Sequence, residues 1–141
     1  MIFKSVGLLY LIVISIYDLN TGHIPDKFTL CFFAVSIFFD LFTTPNNIPK
    51  HLLVAVFFGG VFFFIEVLTK GIGMGDIKLA AVMGYAFGVF KTSIIFILAS
   101  TAGIAVFIIT KLLMKKLKKI PFAPFVTVGY LFSDYICRRI L

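Results

Sequence analysis

The sequence predicts an all-α fold: a polytopic membrane helix bundle of about six transmembrane helices, in one domain over residues 1–141. Three observations carry that expectation. The chain is 61% hydrophobic and only 13% charged, with a mean hydropathy of +1.13, where a soluble domain is about a quarter charged. Nineteen phenylalanines add apolar surface that no core of this size could bury. The apolar residues also fall in long runs, with Pro, Gly, Asn and Lys gathered between them.

The runs are taken as spans in order, since roughly 17 to 25 apolar residues cross a bilayer as a helix. Ile2 to Tyr17 is the first and is read as a retained span, because no small-residue cleavage site precedes its polar end. Phe28 to Phe42 is the second and holds Asp40 near its end. Leu52 to Leu68 is the third, with Glu66 near its end. Ile77 to Phe90 is the fourth. It is short and rich in Ala and Gly, which places it inside the bundle, where small residues let helices approach closely. Ser93 to Met114 is the fifth, with Lys91 and Thr92 expected as a tight turn before it. Phe122 to Ile136 is the sixth, preceded by Pro121 and broken by Pro124.

Charge sets the expected orientation. The first, third and fifth loops carry Lys27, Lys70, Lys78, Lys111, Lys115, Lys116, Lys118 and Lys119. The other side carries Lys4, Lys50, Lys91, Arg138 and Arg139. The positive-inside rule therefore puts the odd loops in the cytoplasm. The same distribution explains the pI of about 9.6 by membrane topology, and no nucleic-acid partner is expected. Cys31 and Cys137 are single, with no C-x-x-C pair, so no zinc knuckle or other metal site is expected.

Two of the six acidic residues stand at matching depth. Asp18 ends the first span and Asp76 begins the fourth, so three crossings return them to one membrane face. Ionisable groups at membrane depth are functional candidates by default. Two carboxylates brought close cannot both ionise easily, so one keeps a proton. The ionised partner can take a proton from water while the protonated one polarises a peptide carbonyl. That is aspartyl proteolysis, which needs no metal or cofactor. Helix dipoles favour an anion at Asp76 and disfavour one at Asp18, so the shared proton is expected on Asp18. The bland alternative is that each Asp caps its own helix at the interface. Gly71, Gly73 and Gly75, just before Asp76, suggest close approach of an extended substrate to a backbone without Cβ atoms, or simply a flexible interhelical loop.

The stretch "GMGDIKL" (73–79) resembles the G-x-G-D-x-K-L motif of type IV prepilin peptidases, membrane aspartyl proteases of the GxGD class. "YDLNTGHIPDKFTL" (17–30) resembles their D-L-x5-P-[DN] signature, and "IPFAPF" (120–125) their P-F-[GA]-P stretch. The three occur in family order and cover most of the chain. The resemblance implies cleavage of the basic leader from type IV prepilins or pseudopilins, at the cytoplasmic face of the inner membrane. It implies Asp18 and Asp76 as the catalytic pair, with Gly73, Gly75, Lys78 and Pro25 as motif or substrate-binding support. Many members carry an N-terminal domain with paired cysteines and also N-methylate the new terminus. This chain has no C-x-x-C and resembles the small, protease-only members, so S-adenosylmethionine binding is not expected.

Other residues carry blander expectations. Lys78 tunes Asp76 or binds a lipid phosphate. Asp26 caps helix 2 or attracts a basic leader. His23 decorates its loop, and the Lys111–Lys119 cluster sets topology and touches anionic lipid. The competing reading is a small proton- or cation-coupled transporter using Asp18 and Asp76 as a relay. It requires repeat-like halves, and the glycine loop has no counterpart elsewhere in the chain.

Overall fold

The computed structural model describes residues 2–22, 24–70, 73–113 and 122–140. Among them there are five α-helices and no strand. They are α1 (Ile2–Thr21), α2 (Asp26–Thr43), α3 (Ile48–Thr69), α4 (Met74–Leu113) and α5 (Ala123–Ile140), with a short 3-10 turn at Pro45–Asn47. Proline and left-handed residues set several boundaries. Pro25 stands at the N-cap of α2, Pro49 lies in the first turn of α3, and Lys70 closes α3 in the left-handed region at φ 49°.

The fourth and fifth expected spans lie within one 40-residue helix, α4, so the expected six helices are five by hydrogen bonding. The expected turn at Lys91–Thr92 is helical. The chain instead departs from helical geometry at Gly88, with φ 74° and ψ 176°. Only glycine takes that conformation without steric cost, so the sequence placed the break about one turn too late. Thr92 ties across it, its Oγ1 donating to the Met83 carbonyl at 2.9 Å.

Two stretches, Pro45–Thr69 and Met74–Leu112, are long and apolar enough to cross a bilayer. Leu30, Phe38, Leu53, Phe64, Leu68 and Ile97 lie exposed, and an apolar exterior of that kind is matched by lipid tails.

Contacts cluster into two compact units, Met1–Gly22 with Ser93–Leu141, and His23–Thr92. In the first, α1 and α5 pack along one another. Leu11, Ile14, Ile95, Ala99 and Val126 are fully buried there. Ser15 and Thr127 exchange a buried hydrogen bond between α1 and α5, and the Thr127 hydroxyl also lies 3.2 Å from the Leu11 carbonyl. In the second unit, α3 and the first half of α4 approach closely. A Cβ at Gly84 would stand 3.0 Å from the Val54 carbonyl oxygen. Residues 79, 80 and 82–85 are buried, the small Ala80 and Gly84 together with the larger Leu79, Val82, Met83 and Tyr85. At the far end of α2 and the start of α3, Asp40 and His51 pair at 2.7 Å, with the His51 ring edge-on to Tyr85.

Candidate active site

Asp18 lies in the last turn of α1 and is only 6% exposed. A buried carboxylate needs a donor. It has one in the backbone N–H of Ala123, the first residue of α5, at 3.1 Å from Oδ2. The first N–H groups of a helix have no partner within the helix, so the two groups satisfy each other across 105 positions of sequence. Asp18, expected only at the C-terminal end of α1, thus also faces the N-terminal end of α5.

Asp76 lies in the second unit, in the first turn of α4, and is half-buried. Its N–H donates to the Gly73 carbonyl at 2.9 Å, a tight turn at the helix start. A Cβ on Gly73 would stand 3.6 Å from the Asp76 Oδ2, an ordinary contact. A Cβ on Gly75 would stand 2.9 Å from the Ile24 Cβ and 3.5 Å from the Ile24 carbonyl oxygen. The close approach at Gly75 is therefore made by this chain's own Ile24. Ile24 brings the D-L-x5-P-D stretch against the start of the G-x-G-D helix.

Lys78 pairs with Asp26, Nζ to Oδ1 at 2.7 Å, with both side chains largely exposed. Asp26 is not the cap of α2: the N-cap is Pro25, with no side-chain cap bond, and Asp26 sits in the first turn. There it complements the helix dipole as well as Lys78. Both also border an apolar cavity of about 630 Å³, lined by Thr29, Phe33, Ala55, Gly59, Phe63 and Ala81, among others.

Of the expected site residues, the second unit thus holds Gly75 against Ile24, the residue before Pro25, and pairs Lys78 with Asp26. Asp18 belongs to the other unit. His23, Gly71, Lys115, Lys116, Lys118, Lys119 and Pro121 lie outside the described residues. The sequence reading missed the Ala123 N–H on Asp18, the Asp26–Lys78 pair and the Asp40–His51 pair. The P-F-A-P stretch flagged the start of α5 but not the direction of its N–H groups. Asp40 and His51 flank a two-proline loop, and reading that loop as a helical hairpin would have brought them together.

The Type IV leader peptidase family matches residues 5–108, and the chain belongs to that family. It is a membrane protein of that class. It is 28% identical over 127 residues to a prepilin leader peptidase/N-methyltransferase of Burkholderia pseudomallei, covering 84% of this chain and 41% of the relative. It is 29% identical over 137 residues to the protein of that name from Bacillus subtilis, covering 89% and 54%. It is also 27% identical over 128 residues to the leader peptidase HopD of Salmonella typhimurium, covering 84% and 82%. The chain thus spans about half or less of the two bifunctional relatives and most of the third. No solved structure matches it.

Proposed function

We propose that this chain is an aspartyl endopeptidase that removes the basic leader from type IV prepilins or pseudopilins. The family match over residues 5–108 carries the reading, because it contains both the D-L-x5-P-D and the G-x-G-D stretches. Asp18 and Asp76 are the catalytic pair. One, ionised, takes a proton from water as its oxygen attacks the scissile carbonyl. The other, protonated, donates to the carbonyl oxygen. Collapse of the tetrahedral intermediate breaks the C–N bond, and a proton passes to the departing amine. Gly75 and Pro25 hold the start of α4 against the Ile24 segment, Gly73 closes the turn beneath Asp76, and Lys78 with Asp26 forms the polar edge.

The chain works as a single peptidase domain over residues 1–141, with six crossings, spans four and five being the two arms of α4 either side of Gly88. Its odd loops face the cytoplasm, so the leader is cut on the cytoplasmic side of the inner membrane. The substrate has a basic leader, a Gly at the cut and an apolar helix after it. The test is co-expression with candidate prepilins from the same genome, read as loss of the leader on a gel. Processing of at least one candidate is expected, and failure on all of them would overturn the reading.

A further inference from the structure

We infer that the N-terminal backbone of α5 is a positioning element for Asp18, with the Ala123 N–H holding the carboxylate in its working orientation. The inference rests on Asp18 being catalytic. Four observations carry it. Asp18 is 6% exposed and Ala123 fully buried, so water is a poor substitute for the missing partner. The N–H reaches Oδ2 at 3.1 Å, and fixing one oxygen fixes the plane of the carboxylate and the direction of the other. The Phe122 carbonyl accepts from Phe125 at 3.1 Å and Val126 at 3.3 Å, which places Phe122 at the cap and leaves the Ala123 N–H outside the helix's own bonding. Finally, α5 is itself fixed to α1 one turn further in, where Ser15, Thr127 and the Leu11 carbonyl hydrogen bond in the buried interface. The donor therefore stands on a rigid element anchored to the same helix that carries its acceptor.

This gives the P-F-A-P stretch a chemical role. Its second proline, Pro124, lies in the first turn of α5, where a missing N–H costs nothing. Of the turn's first two positions only Ala123 keeps an N–H, and it is directed at a carboxylate. A charge-assisted bond of this kind is about twice as strong as a neutral one. A misplacement of about 1 Å in a catalytic group can cost on the order of 100-fold in rate.

The test replaces Ala123 by lactic acid through nonsense suppression, which keeps the methyl group and exchanges the N–H for an ester oxygen. Ala123→Pro is the second variant. It also removes the N–H, and proline is favoured at the first helical position after an extended cap residue. Ala123→Gly retains the N–H and serves as the control. Cleavage is measured per folded, membrane-inserted enzyme on a reporter made of a basic leader, a Gly junction and an apolar helix.

The ester and Pro variants are expected to lose on the order of 10- to 100-fold in kcat/KM, with Gly within about 3-fold of the parent. The loss is expected in kcat, with KM little changed and the thermal midpoint unmoved. Loosened packing alone would lower the midpoint together with the rate. Wild-type kcat in the ester variant would overturn the positioning role. If Asp18→Ala were itself active, the catalytic assignment would fall instead, so the two failures are distinguishable.

Discussion

The two aspartates reach their places by opposite routes. Asp18 ends a helix and is almost fully buried, and the donor on its carboxylate comes from a residue 105 positions later. Asp76 begins a helix, is half-buried, and is set by a turn whose carbonyl lies three residues before it. One carboxylate is held through long-range helix packing; the other follows a local turn whose Gly75 lies close to Ile24. The same residue type at two motif positions is therefore sensitive to different perturbations. Variants that loosen α5 act on Asp18, and variants that thicken the glycine turn act on Asp76.

The largest expected effect ignores that difference. Asp18→Ala and Asp76→Ala should each reduce leader cleavage to background while the protein still inserts. Asn should do no better at either position, since it neither ionises nor takes up the proton. Robust processing by either Asn variant would remove that residue from the chemistry.

The next variant attacks the long-range route. A Cβ on Gly129 would stand 2.6 Å from the Ile95 carbonyl oxygen, a backbone atom with little room to yield. Gly129→Ala should destabilise by about 1–3 kcal/mol, as overpacking does, and lower activity together with the thermal midpoint. An unchanged midpoint would mean that the α5 packing is softer than it looks.

Local variants should separate activity from stability. Gly75→Val should lose most activity, because its side chain collides with Ile24 and displaces the start of α4. Its thermal midpoint should fall less than that of Gly129→Ala. Gly73→Ala meets only an ordinary contact at 3.6 Å and should be the milder of the two. Equal activity in both would show that the close approach at Gly75 does not matter to Asp76.

The smallest effect belongs to the Asp26–Lys78 pair. Both side chains are largely exposed, and exposed ion pairs contribute about 0–1 kcal/mol. A double-mutant cycle with Asp26→Asn and Lys78→Met, read by thermal unfolding in detergent, should give a coupling below about 1 kcal/mol. A larger value would promote the pair from edge to structural clamp.

The sequence by itself determined the helical class and most helix boundaries, and it singled out Asp18 and Asp76. Those features are local: apolar runs long enough to span, prolines and glycines that punctuate them, and short motifs with fixed spacing. It misplaced the break in α4 because Lys91–Thr92 is the more polar pair, while the deciding property is backbone freedom at Gly88. It left Asp26 between a cap and a leader contact, and Lys78 between two partners, because the pairing of α2 with α4 is not encoded at short range. Gly75 was recognised as a place of close approach, but only the folded chain shows that Ile24 occupies that place. The tertiary structure alone decided that the Ala123 N–H meets Asp18. A buried carboxylate must find a donor, but which of many distant groups supplies it depends on how helices pack, and helix packing is a property of the whole chain.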